Sequence, residues 1–298
     1  MKLLYFDDFR LGVLIGQRVV DVSAVVRDIP HMGPHDLINR LIERFDTYKP
    51  RLEEEVESSD GVPVQDVRIR PPLPKPGKIV CMAVNYLERP GAEMPPINAF
   101  LKSPNAVIGN GDTIVLPDAQ PTIFQHEAEL ALVIGKRASK VKAADYQDYI
   151  FGYVNFIDVS ARGLGAPPLD SFFPIKSWEG FAPLGPFLVT ADEVTDPQSL
   201  SVKLWVGGDL RQDFSTDQMA HKIPRCIEMV SSITTLNPGD IVATGTNHQG
   251  LGPLQNGDAV EMETQGLGRL NINVSDKLKR QWPRETRAQK AAREATQA

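Results

Sequence analysis

The chain has 298 residues, of which 42% are hydrophobic and 23% charged, so its composition is that of a folded globular protein and not of a disordered one. Its formal net charge of −6 excludes a broad positive surface for nucleic acid or an anionic membrane. Two cysteines are too few for a disulfide framework, and the absence of a long apolar stretch or a signal-peptide pattern predicts a cytoplasmic protein with no membrane partner.

Residues 1–70 are predicted to form a small N-terminal α+β domain. The segment around Gly12 and Gly16 alternates apolar and polar residues, as a strand, a turn and a strand do. Residues 36–58 carry apolar side chains at helical spacing. The proline cluster in residues 71–77 predicts a stiff connector, because proline fixes φ and lacks an N–H group.

Residues 78–275 contain many short β-branched segments separated by Gly, Pro and Asp, which predicts a β-rich α+β domain with sheets packed on each other. The best helix candidates in it are residues 143–150 and 217–234. The tail, residues 276–298, carries seven basic and three acidic residues. An arm for RNA or an acidic partner is one interpretation, but we expect a frayed, solvated tail.

The sharpest local feature is the pair Glu127 and Glu129 at the start of an apolar segment. Residues two apart in a strand project to the same face, and two carboxylates that close need a cation or protons to neutralise them. Such hard oxygen ligands suit Mg²⁺, Mn²⁺ or Ca²⁺. The alternative is an exposed strand face with paired glutamates. Asp158, in another strand-like segment, is either the third carboxylate of a metal site or an aspartate that ends a strand.

Three further passages carry candidate polar groups. Lys176 lies in an apolar, proline-bounded segment, so its amine either reaches out to water or sits beside carboxylates. Arg162 follows Asp158 and is a candidate anion contact. Gly245 and Thr246 follow a short strand, where they either present N–H and hydroxyl donors to a carboxylate ligand or simply form a turn.

Seven collinear segments together resemble the fumarylacetoacetate hydrolase family. The resemblance covers nearly all of residues 78–274, and it implies a catalytic domain of mixed β-sandwich or roll type with a small N-terminal domain, as in bacterial members. The matching segments are residues 78–86, 100–117, 126–138, 152–162, 176–190, 211–216 and 237–246.

The resemblance also implies a reaction. Members cleave carbon–carbon bonds of acylpyruvates and related 2,4-diketo acids, or decarboxylate or tautomerise 2-oxo acids, and a divalent cation takes up the charge of the developing enolate. Hydrolytic cleavage is our leading expectation, in a homodimer that binds Mg²⁺ or Mn²⁺, with Ca²⁺ as a substitute in vitro. Carried over by residue, the metal ligands are Glu127, Glu129 and Asp158; Lys176 touches the substrate or a metal-bound oxygen; and the substrate-binding residues are Tyr86, Arg162, Gln212, Gly245 and Thr246.

The segment after Tyr86 departs from the family pattern. Hydrolytic members carry a histidine and a glutamate there that activate water, but Arg89 stands at the histidine position and Glu93 falls one residue late. Arginine stays protonated and cannot serve as a general base. Hydrolysis would then use Glu88 or Glu93 as the base, or a histidine from elsewhere, with His31 and His35 as remote candidates.

Two alternatives follow from this departure. Decarboxylation or tautomerisation of a 2-oxo dicarboxylic acid needs no water activation, and Arg89 would then clamp a substrate carboxylate. A non-catalytic binder of metal and ligand ranks last, because Glu127, Glu129, Asp158 and Lys176 are all retained.

Overall fold

The computed structural model describes residues 1–89, 91–165, 167, 169 and 171–297, and strands dominate it. The N-terminal strands are β1 (Lys2–Phe6), β2 (Arg10–Ile15), β3 (Arg18–Asp21), β4 (Val62–Pro63) and β5 (Ile69–Arg70). The later strands are β6 (Ile79–Ala83), β7 (Asn98–Lys102), β8 (Val107–Ile108), β9 (Thr113–Val115), β10 (Ile123–Gln125), β11 (Ala128–Ile134), β12 (Ile150–Ile157), β13 (Ser160–Arg162), β14 (Ala182–Thr190), β15 (Ser201–Val206), β16 (Asp209–Ser215), β17 (Ile241–Ala243), β18 (Ala259–Thr264) and β19 (Arg269–Ser275). The helices are α1 (Pro34–Glu43), α2 (Phe45–Ser58), α3 (Phe173–Lys176), α4 (Ile223–Ile233) and α5 (Arg287–Gln297).

A large central sheet runs through the molecule in the order β4-β3-β2-β1-β14-β12-β11-β17-β6-β7, with β5 added beside β1 and β8 beside β14. The N-terminal strands belong to this sheet, because β1 pairs with β14 in a register that places Lys2 opposite Val189 and Leu3 opposite Leu188. Backbone hydrogen bonding is therefore continuous from residues 1–70 into residues 78–275, and a separate N-terminal domain remains a prediction.

A second sheet, in the order β16-β15-β18-β19-β9, packs face to face on the central one. Its strands β15, β18 and β19 contact β11, β12 and β14. Every residue of β11, β12 and β14 is buried, as expected of strands covered on both faces. The predicted β-rich α+β sandwich is thus confirmed, and the candidate carboxylates lie in or directly beside its fully buried strands β11 and β12.

The N-terminal elements differ in detail from the prediction. Gly12 lies inside β2 and not in a turn, and a Cβ there would come 2.7 Å from Val19 Cγ1, so the close approach of β3 explains this glycine. The turn before β2 instead uses Asp7 and Phe9 at positive φ. The helical stretch is broken into α1 and α2 at Arg44, which leaves the helical region with φ −114° and ψ 18°.

The two helix candidates of the second half are also shorter than predicted. Residues Ala143–Tyr149 form a 3₁₀-helix, and the strand β12 begins at once after it. The second candidate becomes α-helical only at Ile223, where Pro224 stands in the first turn, a position in which its missing N–H costs nothing.

The tail is mostly exposed, as predicted, but it is not frayed where the structure describes it. Trp282 Nε1 donates to Thr122 O at 2.7 Å, and Arg284 Nη2 lies 2.6 Å from Asp258 Oδ1. Composition alone does not reveal such partners, which lie far away in the sequence. No helix within the described ranges has the length and apolar character needed to cross a membrane.

Candidate metal centre

Three buried carboxylates meet at one end of the paired strands β11 and β12. Glu129 lies in β11 opposite Phe156, Glu127 directly precedes β11, and Asp158 directly follows β12. The Asp158 N–H donates to the Glu127 carbonyl at 2.8 Å, which ties the two strand ends together. One ligand atom from each of the three side chains lies within 4.8 Å of the others. The glutamates are therefore not on an exposed strand face.

Two lysine side chains neutralise part of this charge. Lys176 Nζ lies 2.8 Å from Glu127 Oε2 and 2.5 Å from Asp158 Oδ2, so its amine sits beside carboxylates and does not reach out to water. Lys102 Nζ, fully buried, lies 2.6 Å from Asp158 Oδ1. Sequence reasoning did not single out Lys102, although a lysine at the end of a strand directly before a tight Ser-Pro turn was the available signal.

The third carboxylate lacks such a partner among the described residues. Burial, together with the charges of Asp158 and Glu127, raises the pKa of Glu129 well above its usual value. Burial also opposes ionisation of Glu127, but Lys176 and Arg162 outweigh it and lower the Glu127 pKa. The only hydrogen bond to the Glu129 side chain found in the described part comes from the Gly245 N–H, 2.8 Å from Oε2. Uncompensated negative charge on clustered carboxylate oxygens fits a divalent cation such as Mn²⁺ or Mg²⁺.

A chain of hydrogen bonds holds Oε1 of Glu127, the oxygen that Lys176 does not contact. Ser160 Oγ donates to Glu127 Oε1 at 2.7 Å, and the Arg162 guanidinium donates to the same oxygen. Arg162 Nε also donates to Gln125 Oε1 at 3.0 Å. Ser160 and Gln125 were not predicted, and they are explained by the pairing of β10 with β13, which sets Gln125 opposite Ser160.

Gln212 hydrogen-bonds the residues that form the wall beside the carboxylates. Its Oε1 accepts from His126 Nδ1 at 3.0 Å and from the Ala128 N–H at 3.1 Å, and its Nε2 donates to Thr246 Oγ1 at 2.8 Å. Burial lowers the pKa of His126 to about 4, so this imidazole is neutral near pH 7. Tyr86 is buried too, with its ring 5.0 Å from that of Phe214.

The region of the missing family histidine contains a different pair. Glu88 Oε1 lies 2.6 Å from His248 Nδ1 and also accepts from the His248 backbone N–H at 3.2 Å. Gln249 Nε2 donates to the other Glu88 oxygen at 2.8 Å. Burial opposes ionisation of Glu88, but its bond to His248 prevails and lowers the Glu88 pKa. The pair was not predicted, because His248 and Glu88 are 160 residues apart in the chain.

The remaining candidates near this pair are exposed. Arg89 and Glu93 form no side-chain hydrogen bond or ion pair with any other residue that the structure describes, and Pro90 between them lies outside the described residues. Arg89 borders a cleft of about 420 Å³ that Glu88 and Asn247 also line. Of the remote histidines, His31 contacts its own neighbour Ile29 through Nδ1.

Known proteins share sequence with this chain over most of its length. A sequence model described as "Fumarylacetoacetate (FAA) hydrolase C-terminal" matches residues 78–275. A maleylpyruvate hydrolase of Aquipseudomonas alcaligenes is 33% identical over 291 residues, which cover 92% of this chain and 99% of the relative. An oxaloacetate tautomerase of Bacillus subtilis, YisK, is 35% identical over 225 residues, which cover 71% of this chain and 74% of the relative.

A solved structure extends the likeness to the whole architecture. The crystal structure of maleylpyruvate hydrolase from Sphingobium sp. SYK-6 in complex with manganese(II) and pyruvate superposes with a TM-score of 0.84. It is 36% identical and covers 93% of this chain and 99% of its own.

Proposed function

The chain belongs to the fumarylacetoacetate hydrolase family, and on that basis we propose that it hydrolyses a carbon–carbon bond of a small 2,4-diketo acid with the help of a divalent metal ion. The relative of known structure that holds manganese and pyruvate supports an acylpyruvate as substrate and pyruvate as one product. The observation that carries the hydrolytic proposal is the hydrogen bond between His248 and Glu88, because it supplies a base for water.

Glu127, Glu129 and Asp158 are the residues that would hold the metal ion, Mn²⁺ or Mg²⁺. When bound, such an ion supplies positive charge that stabilises an enolate as it develops. Lys176 keeps two of the ligands in place, and although burial opposes its charge, Asp158 and Glu127 raise the pKa of its amine, so it stays protonated. Gly245 and Gln212 fix the adjacent wall through their bonds to Glu129 and Thr246, and the Thr246 hydroxyl, which accepts from Gln212, is the donor left for a substrate carboxylate.

His248 acts as the general base in this proposal. Its Nδ1–H points at the Glu88 carboxylate, which sets the tautomer and leaves the Nε2 lone pair free for a water proton. The same loop carries Gly245, whose N–H reaches Glu129. One short segment therefore carries the base and contacts the carboxylate cluster, and Glu88 serves to orient the histidine.

Hydrolysis of the diketo acid consumes one water molecule. His248 takes a proton from water, and the hydroxide attacks the 4-oxo carbon of the diketo acid. The bond between carbons 3 and 4 then breaks, and its electron pair forms the enolate of pyruvate while the acyl part leaves as a carboxylic acid. The proton held by His248 returns to carbon 3, so water is the only co-reactant.

His248→Asn tests the base, because asparagine fills the loop but cannot take the proton. We expect at least about a 100-fold loss of kcat for hydrolysis of 2,4-dioxopentanoate, with Mn²⁺ binding by calorimetry unchanged. His31→Asn, in the N-terminal part, is the matched control and retains activity. A fully active His248→Asn protein would refute the assignment.

Tautomerisation or decarboxylation of a 2-oxo dicarboxylic acid is the second candidate. The oxaloacetate tautomerase relative favours it, as does the exposed Arg89, whose guanidinium is available to a substrate carboxylate. These reactions require enolate stabilisation but no activated water, so His248→Asn would leave oxaloacetate turnover intact if this candidate is correct.

The homodimer remains a proposal that rests on the resemblance, and the cytoplasmic location remains a proposal drawn from the sequence pattern. Sedimentation equilibrium of the purified chain, at 32.9 kDa per monomer, distinguishes a dimer from a monomer directly.

A further inference from the structure

The C-terminal arm, residues 276–297, lies outside the matched family region of residues 78–275 but is anchored along the catalytic domain. Arg280 donates to the carbonyls of Ala119 and Pro117 at 2.6 and 2.9 Å. Farther along, Trp282 is bonded to Thr122 and Arg284 to Asp258. The arm thus follows a fixed course toward the strands β10 and β13.

The arm contacts the segment directly after His248 at the point where α5 begins. The backbone N–H of Arg287 donates to the Leu251 carbonyl at 2.9 Å, and that of Ala288 to the Gln249 carbonyl at 3.0 Å. Amides in the first turn of a helix have no partner within the helix, so the loop carbonyls satisfy the start of α5. This docking fixes where the Arg287 side chain begins.

The Arg287 guanidinium reaches the hydrogen-bond chain beside Glu127. Arg287 Nη2 lies 3.3 Å from Gln125 Oε1, the same oxygen that accepts from Arg162 Nε at 3.0 Å. Two cations therefore share one neutral amide oxygen. Arg162 has Glu127 as a counterion, but no carboxylate in the described part of the chain lies within ion-pair distance of Arg287.

Electrostatics make this place favourable for an anion. Burial and the repulsion from Arg162 both lower the pKa of Arg287, and a carboxylate would relieve that repulsion. Guanidinium groups bind carboxylates with two parallel hydrogen bonds, and the Arg287 side chain is still accessible to solvent.

We propose that Arg287 is a specificity residue that binds a second carboxylate of the substrate, remote from the 2-oxo acid end. This inference rests on the proposed function, since it extends the same site. It assigns dicarboxylic diketo acids, rather than monocarboxylic ones, as the preferred substrate class, and it makes the arm a wall of the site.

The test compares Arg287→Gln with Arg293→Gln, a change of the same type six residues along the arm, where the arginine pairs with Glu285. The substrates are 2,4-dioxoheptanedioate and 2,4-dioxoheptanoate, which differ only in the distal carboxylate. We expect Arg287→Gln to lower kcat/KM for the dicarboxylate by about 10- to 100-fold and for the monocarboxylate by less than about twofold. Arg293→Gln changes neither. An equal loss on both substrates would overturn the inference.

A binding measurement separates this inference from the proposed reaction. We expect the wild-type, Mn²⁺-loaded protein to bind 2-oxoadipate at least about tenfold more tightly than 2-oxohexanoate, by calorimetry, and Arg287→Gln to remove that preference. Neither ligand has the 4-oxo group that hydrolysis requires. A wild-type preference that persists in Arg287→Gln refutes the inference even if hydrolysis is observed. A preference lost in the variant supports it even if the wild-type protein hydrolyses neither diketo acid, which would refute the proposed function alone.

Discussion

Glu129 differs from its two partners because no described cation contacts it, while Glu127 and Asp158 share Lys176. A cluster of three buried carboxylates is costly unless positive charge compensates each of them. In this protein the lysines compensate two of the three carboxylates. Burial and the two neighbouring carboxylates raise the pKa of Glu129, whose charge a metal ion would compensate.

Glu129→Gln removes that ligand charge at nearly constant volume. We expect the metal-free variant to be as stable as the wild type or more stable, because a buried like charge is lost. Mn²⁺ at 100 times its Kd should raise the wild-type Tm by about 5 °C and the variant Tm not at all. Thermal unfolding followed by circular dichroism measures both. Glu261→Gln, at a partly exposed position of β18, is the control, and a full Mn²⁺ shift in Glu129→Gln would contradict the ligand assignment.

The charge of Lys102 compensates the buried carboxylate of Asp158. Lys102→Met leaves Asp158 with one cation fewer in a buried place, so the free energy of unfolding should fall by about 3 kcal/mol. Urea denaturation measures this loss. Lys203→Met breaks an exposed pair with Asp213 at 3.9 Å and should cost less than about 1 kcal/mol. Equal losses in the two variants would mean that the buried pair contributes no more to the free energy of unfolding than the exposed pair does.

Local sequence indicated the residues that lie on neighbouring strand ends but not their distant partners. Glu127, Glu129 and Asp158 were predictable because β11 and β12 pair directly and strand periodicity sets their faces. Lys102 reaches Asp158 across 56 residues, and His248 reaches Glu88 across 160. Such pairs depend on the tertiary course of loops, which no local pattern encodes.

The loop after β17, residues 244–249, joins the two halves of the site. Gly245 has φ +86°, and its N–H bonds Glu129, while His248 bonds Glu88. A Cβ at residue 245 would come 3.0 Å from Asn85 Cβ and 3.2 Å from the Met82 carbonyl. Only glycine fits both the left-handed backbone and this close approach.

Gly245→Ala should therefore displace the loop. We expect a loss in the free energy of unfolding of about 2 kcal/mol and at least about a tenfold loss of kcat. Gly257→Ala is the matched control, because its φ is +84° but nothing lies within 4 Å of the added Cβ. Gly257→Ala should lose stability because of backbone strain, but it should keep its activity. Equal kinetic effects in both variants would show that the contact with Asn85 is irrelevant.

The elements differ in how far the sequence determines them. The strands of the second half were predictable, because β-branched runs between turn residues favour the strand conformation. The division of residues 36–58 at Arg44 was not, because apolar periodicity continues across the break and tertiary packing decides where the chain turns. The arm was misjudged for the same reason: its arginines find partners such as Asp258 only in the folded molecule.

The continuity of the central sheet makes the whole chain one candidate folding unit. Leu3 of β1 is fully buried next to β14, and β14 in turn pairs with β12, the strand that leads to Asp158. The N-terminal strands thus support the strands that hold the site, although they contribute none of its carboxylates.

Leu3→Ala tests this coupling through distant reporters. The tryptophans Trp178, Trp205 and Trp282 all lie after the connector, yet their fluorescence transition in urea should shift to a lower midpoint, by about 3 kcal/mol in unfolding free energy. Met32→Ala, at an exposed side chain, should leave the midpoint unchanged. An unchanged tryptophan transition in Leu3→Ala would mean that residues 1–70 unfold as a separate domain.

Cleavage of a carbon–carbon bond by water is the reaction proposed for this protein. The most direct test incubates the Mn²⁺-loaded protein with 2,4-dioxopentanoate in ¹⁸O-labelled water and analyses the products by mass spectrometry, with and without a chelator. We expect pyruvate and acetate in equal amounts, with ¹⁸O in the acetate carboxylate and no reaction once the metal is removed. Release of CO₂ from oxaloacetate, or its tautomerisation, without any acetate from the diketo acid would contradict it.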